Sequence, residues 1–267
     1  MAARSAAQIR RQQEAARQAY QQAQDARAVQ RTARQRRRNR LALREAPDGT
    51  KPCTVLTPRC GDARDYDTEL RPCCRELIVD LSREVAAAFD ALGVTYWMDY
   101  GTLLGAFRNP LTTWADYPWL PQENRPEGPL APGIVPHDKD ADWGVMGDQW
   151  QKAYLALQAH CRRRTLRVRP PRVSIKVCVS HVNRTNLDLF FWHEHHRKPG
   201  LMYRHKYAQV DVYKGKHFDK ADLFPLQPME WEGLQLPAPK DPEAWLEFRY
   251  GPDWRTPIPA NHDGVKR

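Results

Sequence analysis

Three aspartates at alternate positions, Asp138, Asp140 and Asp142, stand in the stretch 134–146. The stretch predicts a strand, and side chains two residues apart on a strand point to the same face of its sheet. Three carboxylates on one face repel one another, so a folded chain needs a cation to compensate them. Mg²⁺ and Mn²⁺ are hard divalent ions that take oxygen ligands of this kind. The stretch therefore predicts a metal-dependent phosphoryl-transfer site.

A second stretch, residues 96–108, predicts a phosphate-binding turn. An apolar strand over residues 94–100 leads into Gly101 and Thr102, and a helix is expected to begin just after them. The free N–H groups and the dipole at a helix start suit a phosphate, and Thr102 adds a hydroxyl donor. Arg108 lies about two turns along the helix, where it reaches either a phosphate or the solvent.

The sequence offers a third acidic ligand in a hairpin. Apolar residues alternate with polar ones over 173–180, which predicts a half-buried strand. Residues 187–192 form its predicted hairpin partner. Asp188 places a charge inside this apolar strand, which is costly to bury unless something binds it. We therefore expect Asp188 to lie beside Asp140 and Asp142.

The remaining periodicities predict a mixed α/β fold. Apolar residues at three- and four-residue steps predict a helix from residue 77 to residue 92, ended by Gly93. A second amphipathic helix is predicted over 149–161. Residues 109–133 contain six prolines and two tryptophans without periodicity, so they predict a long loop. The loop is either a lid or acceptor-binding segment using Trp114 and Trp119, or a surface excursion whose tryptophans pack against the fold.

Four cysteines precede the first predicted helix: Cys53, Cys60, Cys73 and Cys74. Four thiolates can bind Zn²⁺ tetrahedrally and so stabilise a polar loop, although the spacing is not that of two paired knuckles. Disulfides or unused thiols are the other interpretations. With no signal-peptide pattern the expected compartment is the reducing cytoplasm, which disfavours disulfides.

The net charge of +10 is concentrated at the N-terminus. Residues 1–45 hold twelve arginines and three acids, a net charge of +9, whereas the rest of the chain is nearly neutral. The arm, residues 1–48, predicts a solvated helix or a disordered segment. The alternative is an electrostatic anchor for anionic lipid, a polyanionic glycan or nucleic acid. No run is long and apolar enough to span a bilayer, so we expect a cytoplasmic protein that the arm could hold at a membrane surface.

Taken together, four stretches resemble the LicD/fukutin family, a branch of the nucleotidyltransferase-like fold. They are residues 96–108, 134–146, 187–189 and 248–254. The four cysteines also resemble the zinc loop of the fukutin-related members, which favours zinc over the other interpretations. The sequence departs from the family pattern at His137, where Trp is usual, and in the insertion 109–133.

The resemblance implies a fold and an activity. The expected fold is a nucleotidyltransferase-like mixed sheet flanked by helices over residues 76–267, preceded by a zinc loop over residues 49–75. Family members transfer a phospho-alcohol, such as phosphocholine or ribitol phosphate, from a CDP-activated donor to a hydroxyl of a glycan or surface polymer. By position, Asp140, Asp142 and Asp188 would bind Mg²⁺ or Mn²⁺, and Asp138 would line the same face. Gly101 and Thr102 would shape the donor phosphate pocket.

Two other functions are compatible with the same residues. A nucleotidyltransferase would use the same carboxylates but would release pyrophosphate from a nucleoside triphosphate. A non-catalytic, zinc-stabilised nucleic-acid-binding protein would rely on the arginine-rich arm. The nearly neutral charge of residues 46–267 argues against nucleic acid as the partner, because a binding face should be basic.

Overall fold

The computed structural model describes residues 54, 56, 72–120, 127–169, 174–204 and 217–258. The predicted arm, Cys53 and Cys60 lie outside these residues. Within the described part of the chain, every helix is too short or too polar to cross a membrane.

The described residues form five α-helices and nine β-strands, joined in places by single turns of 3₁₀ helix. The α-helices are α1 (Pro72–Leu92), α2 (Tyr100–Arg108), α3 (Trp150–His160), α4 (Lys220–Leu223) and α5 (Pro242–Tyr250). The strands are β1 (Tyr96–Met98), β2 (Asp140–Met146), β3 (Thr165–Arg169), β4 (Ser174–Cys178), β5 (Asn186–Glu194), β6 (Leu201–Arg204), β7 (Phe218–Asp219), β8 (Gln227–Trp231) and β9 (Leu234–Ala238).

Seven of the strands form one mixed sheet, in which five follow the order β1-β2-β5-β4-β3. The C-terminal end of β5 also pairs with β6, and β6 pairs with β7. The β2 and β5 strands are parallel, and the other pairs in this sheet are antiparallel. The β8 and β9 strands form a separate hairpin. The predicted mixed sheet flanked by helices is confirmed, and so is the antiparallel hairpin of β4 and β5.

Aromatic side chains show which helices cover which face of the sheet. On one face, Phe89 of α1 contacts Tyr96 of β1, with ring centroids 5.4 Å apart. On the other face, Trp97 contacts Trp245 of α5 edge-to-face at 6.1 Å. Neighbouring residues of a strand point to opposite faces, so α1 and α5 lie on opposite sides of the sheet. Trp143 of β2 stacks on Tyr96 at 4.9 Å, and the residues on either side of Trp143 therefore face α5.

Several element boundaries differ from those that the sequence predicts. The first strand is short, and α2 begins at Tyr100, so Gly101 and Thr102 lie inside the first helical turn. The β2 strand begins at Asp140 and leaves Asp138 in the preceding turn. Leu92, at the end of the predicted apolar stripe, is 40% exposed. These differences concern ends of elements, where local periodicity carries the least information.

The predicted loop 109–133 has structure of its own in its described part. Short 3₁₀ turns form at Asn109–Leu111 and Trp114–Asp116. Tyr117 is fully buried, and Trp114 and Trp119 are half-buried around it, with ring centroids 6.4 Å and 5.6 Å from the Tyr117 ring. Both tryptophans therefore pack against the fold, as the second interpretation of this loop expected.

Candidate active site

The acidic residues of the site come from two neighbouring parallel strands. Asp142 of β2 is the register partner of Asp188 of β5, and Asp140 is the partner of Asn186. Residues paired in this way lie side by side on the same face of a sheet. The structure therefore brings Asp188 next to Asp142, although 45 residues separate them in the sequence. All three carboxylates are on the face covered by α2 and α5.

The neighbouring strand β4 adds a lysine to this face. Lys176 is the antiparallel partner of Asp188. Its ammonium lies 3.0 Å from Oδ2 of Asp188 and 4.0 Å from Oδ2 of Asp140. The side-chain amide of Asn186 donates a hydrogen bond to the same Oδ2 of Asp140 at 3.1 Å. Two nitrogen donors thus hold the outer edge of the carboxylate cluster.

Asp138 reaches the cluster from outside the strand. Its Oδ1 accepts a hydrogen bond from the N–H of Lys139 at 2.9 Å. Its Oδ2 lies directly against the Cα of Gly101, where an added Cβ would collide with it, and the same Cβ would lie 3.8 Å from Oδ2 of Asp142. A side chain at position 101 would therefore displace the Asp138 carboxylate from its place against the start of α2.

Thr102 positions a carboxylate, a role that differs from the predicted phosphate contact. Its hydroxyl oxygen accepts a hydrogen bond of 2.7 Å from the N–H of Asp142, and the residue is buried. The N–H groups of Thr102 and Leu103 donate to the carbonyl of Asp99 at 3.1 and 3.2 Å. Much of the donor capacity expected for phosphate at the start of α2 is thus used within the protein. The contact of Thr102 instead fixes α2 against β2.

Asp99 is the N-cap of α2 and the centre of a buried polar cluster. One oxygen accepts from the N–H of Tyr100 at 2.8 Å and from the indole of Trp245 at 3.0 Å, and the other accepts from the indole of Trp192 at 2.9 Å. The guanidinium Nε of Arg249 lies 3.8 Å away. Burial raises the pKa of Asp99 and lowers that of Arg249, and the attraction between the two groups opposes both shifts.

This cluster connects the core to the carboxylates. The N–H of Asp99 donates to the carbonyl of Asp142 at 2.9 Å. Tyr100, directly after Asp99, has a φ of +44°, an uncommon conformation for a residue with a side chain. The Arg249 guanidinium lies 3.5 Å above the centre of the Tyr100 ring, and Arg204 donates to the Tyr100 hydroxyl. Arg249 and Arg204 therefore hold the strained start of α2 in place through the Tyr100 side chain.

Asp142 is the carboxylate whose ionisation is most affected by its surroundings. Burial raises its pKa well above the ordinary value, and the negative charges of Asp140, Asp138 and Asp188 raise it further. Its surface is only partly closed to solvent, so the carboxylate is surrounded by protein but still reachable. Without an added cation, the ionised Asp142 opposes folding because its charge is buried and is also repelled by the neighbouring carboxylates.

The residues fit a hard divalent ion by their chemistry. Four carboxylates, those of Asp138, Asp140, Asp142 and Asp188, raise one another's need for a cation. Oxygen ligands of this type suit Mg²⁺ and Mn²⁺. Among the residues that the structure describes, no three His, Cys, Asp or Glu side chains are already arranged as ligands of one ion. Binding therefore requires small side-chain rotations, for which the partly exposed Asp140 and Asp142 leave room.

Arg108 does not join this cluster. Its guanidinium is buried at the C-terminal end of α2, where it donates to the carbonyl of Trp254 at 3.2 Å and to the Tyr117 hydroxyl at 3.4 Å. It lies seven residues from Gly101 along the helix, about 10 Å at the α-helical rise. The side chain links α2 to the C-terminal 3₁₀ turn (Pro252–Arg255) and to the 109–133 segment, and its contact with a phosphate stays a prediction.

Two of the four predicted zinc ligands are described. Cys73 and Cys74 lie in the first turn of α1, with Cys73 half-buried and Cys74 buried. Neither forms a disulfide with a described cysteine. Cys53 and Cys60 lie outside the described residues, so the zinc loop stays a prediction.

Sequence reasoning missed three residues of the site: Lys176, Asn186 and Asp99. Lys176 was visible only as one polar residue in an alternating strand; the predicted hairpin paired this strand with that of Asp188, but the register that places the two residues opposite each other was not predicted. Asp99 carried a clearer signal, since an aspartate just before a predicted helix is a common N-cap. Its burial between two indoles could not be predicted from neighbouring residues.

Comparison with known proteins supports the family resemblance that the sequence motifs indicate. Residues 131–241 match the model described as LicD/FKTN/FKRP, nucleotidyltransferase domain. Over 216 residues the chain is 27% identical to human ribitol 5-phosphate transferase FKRP, and the mouse protein of the same name matches equally. Residues 131–241 are therefore similar to the LicD/FKTN/FKRP family, in agreement with the resemblance of the sequence motifs. Residues 131–241 contain β2, β4 and β5, and with them Asp138, Asp140, Asp142 and Asp188.

The similarity covers different shares of the proteins compared. The match to FKRP includes 75% of this chain and 38% of FKRP, so it spans less than half of that relative. An uncharacterised protein of Rickettsia prowazekii is 25% identical over 170 residues, covering 60% of this chain and 48% of that protein. The crystal structure of the lincosamide adenylyltransferase LnuA with lincomycin is 15% identical, with a TM-score of 0.39 over 74% of this chain and 96% of that one.

Proposed function

We propose that this protein transfers a phospho-alcohol from a CDP-activated donor to a hydroxyl of a glycan or surface polymer. Phosphocholine and alditol phosphates such as ribitol phosphate are the candidate groups. FKRP, by its name, is a ribitol 5-phosphate transferase, which supports the general class of reaction.

One observation carries the proposal: carboxylates of two adjacent parallel strands face the start of α2. Asp140 and Asp142 on β2 and Asp188 on β5 would hold Mg²⁺ or Mn²⁺. When bound, the ion would neutralise negative charge on the donor diphosphate and favour departure of CMP. Gly101 lets the start of α2 approach the carboxylates closely, and with Thr102 it would shape the donor phosphate pocket.

The protein's own residues would orient the reactants and accept a proton. The acceptor oxygen attacks the phosphorus that carries the alcohol, and the bond from that phosphorus to the oxygen bridging to CMP breaks. The acceptor hydroxyl must lose its proton, and a carboxylate, Asp188 or Asp138, is the candidate base. Thr102 and Asp99 hold the backbone of Asp142 in place through the hydrogen bonds described above.

A screen of CDP-alcohols tests the proposal. The protein is incubated with CDP-choline, CDP-ribitol or CDP-glycerol, with Mg²⁺ or Mn²⁺ and with pooled glycan acceptors, and CMP is measured. We expect metal-dependent CMP release with one of the donors. Pyrophosphate released from a nucleoside triphosphate, with no CMP from any CDP-alcohol, would contradict the proposal and favour a nucleotidyltransferase, a reaction compatible with the family model's description.

We also propose that Cys53, Cys60, Cys73 and Cys74 bind a structural Zn²⁺. The position of Cys73 and Cys74 in the first turn of α1 would let the metal fix the start of that helix. Cys73→Ser is expected to lower both the zinc content and the melting temperature, because metal binding contributes to the folding free energy. Cys161→Ser, at a buried cysteine remote in sequence from the loop, should keep the zinc. Wild-type protein without zinc by elemental analysis under reducing conditions would refute this assignment.

A further inference from the structure

The position of Lys176 bears on how many ions the site can hold. Its ammonium lies between two carboxylates of different strands, 3.0 Å from Asp188 Oδ2 and 4.0 Å from Asp140 Oδ2. The side chain is 21% exposed, and those of Asp188 and Asp140 are 12% and 28% exposed. The contact is thus largely enclosed by protein, where an ion pair is less screened than at the surface.

The backbone fixes this arrangement. Lys176, Asp188 and Asp142 occupy one row across three neighbouring strands, since Lys176 pairs with Asp188 and Asp188 pairs with Asp142. Neighbouring strands are about 4.8 Å apart, so Lys176 is next to Asp188 whatever its rotamer. Asn186 lies two residues before Asp188 on β5. Its side-chain amide donates a hydrogen bond to the same oxygen of Asp140 that faces the Lys176 ammonium.

Sites with two metal ions place them about 3.5–4 Å apart, and carboxylates that bridge such a pair use one oxygen for each ion. Here Oδ2 of Asp188 and Oδ2 of Asp140 already face nitrogen donors. A second ion bound by these two oxygens would have to displace Lys176, and at Asp140 also the amide of Asn186. The Lys176 side chain already supplies positive charge at the place where a second ion would bind.

We infer that Lys176 is a built-in second cation of this site, so that the carboxylates bind one divalent ion and not two. The inference rests on the metal-dependent function proposed above and specifies the stoichiometry of its metal. It also gives Lys176 a positioning role, because the ammonium keeps Asp188 and Asp140 near each other when no divalent ion is bound.

Equilibrium Mn²⁺ binding, followed by electron paramagnetic resonance of the full-length protein, tests the inference. We expect one Mn²⁺ per wild-type chain and two per chain for Lys176→Met, which removes the charge and keeps the length. Lys176→Arg keeps the charge and should still bind one ion. Two ions in the wild type, or one ion in all three proteins, would overturn the inference. No Mn²⁺ binding by the wild type would instead refute the proposed metal-dependent function.

Thermal unfolding separates this role from a purely structural one. Without divalent ions, Lys176→Met should melt below the wild type, and saturating Mn²⁺ should raise its melting temperature more than it raises that of the wild type. Arg164→Met is the matched control, because Arg164 pairs with Glu84 at 2.6 Å with side chains 14% and 29% exposed. The difference in melting temperature between Arg164→Met and the wild type should be the same with and without Mn²⁺. If Mn²⁺ raised the melting temperatures of Lys176→Met and Arg164→Met by the same amount, the result would argue against the inference.

Discussion

Asp142→Asn is expected to abolish turnover and at the same time to stabilise the metal-free protein. The amide keeps the shape of the carboxylate but is a poor ligand for Mg²⁺ and carries no charge. Loss of residues that only support metal ligands costs about 10–100-fold, so loss of a ligand should cost at least about 100-fold in kcat/KM. The stability gain follows from removing a charge that Asp140, Asp138 and Asp188 repel.

The pH dependence gives this prediction a definite sign. The pKa of Asp142 is raised in the folded state, so the unfolded chain ionises first as the pH increases. The metal-free wild type therefore loses stability as the pH rises towards the folded-state pKa, and Asp142→Asn does not suffer this loss. The difference in melting temperature between the two should be largest at neutral pH and should shrink on acidification.

Metal addition and a control complete the test of Asp142. Saturating Mg²⁺ should stabilise the wild type, by about 2.7 kcal/mol at 100 times Kd, and should stabilise Asp142→Asn much less. Asp148→Asn, at an exposed position just after β2, should leave turnover and stability unchanged. A fully active Asp142→Asn variant would remove Asp142 from the proposed metal site.

Asp99→Ala is expected to cause the largest loss of stability among the single substitutions considered. It removes three hydrogen bonds and leaves the buried guanidinium of Arg249 without its carboxylate. Breaking a buried charge pair from one side costs about 3–5 kcal/mol. For a chain of this size that corresponds to a fall of roughly 10 °C in melting temperature.

A matched surface pair and a double variant identify the cause of this loss. Asp80 pairs with Arg83 at 2.7 Å, but both side chains are about 60% exposed, so Asp80→Ala should cost no more than about 1 kcal/mol. Asp99→Ala combined with Arg249→Met should be less destabilised than the sum of the single variants, because each single variant already removes the interaction between these two residues. A cost for Asp99→Ala as small as that for Asp80→Ala would contradict the role given to this cluster. Turnover should also fall, since the Asp99 side chain caps α2 and so helps to place Thr102 against the N–H of Asp142.

Much of this molecule could be predicted from local pattern. The helix over 77–92, the β4–β5 hairpin and the common face of Asp140 and Asp142 follow from periodicities of 3.6 and 2 residues, which depend only on near neighbours. The resemblance to the LicD/fukutin family was also evident from four short stretches, and the comparison with known proteins supports it. Asp188 was expected near Asp142 because an isolated charge in an apolar strand needs a partner, and the parallel pairing of β2 with β5 provides that proximity.

Other features were decided by the tertiary structure alone, because they depend on which distant elements meet. The sequence by itself determined that carboxylates would cluster on one face of a sheet. It did not determine that Lys176 would enter the cluster from β4, or that Arg108 would be buried at the far end of α2. Nor could it show that Asp99 would lie between two indoles and a guanidinium. Each of these contacts joins residues at least nine positions apart, most of them much farther, and strand order, register and burial are fixed only when the whole sheet and its covering helices assemble.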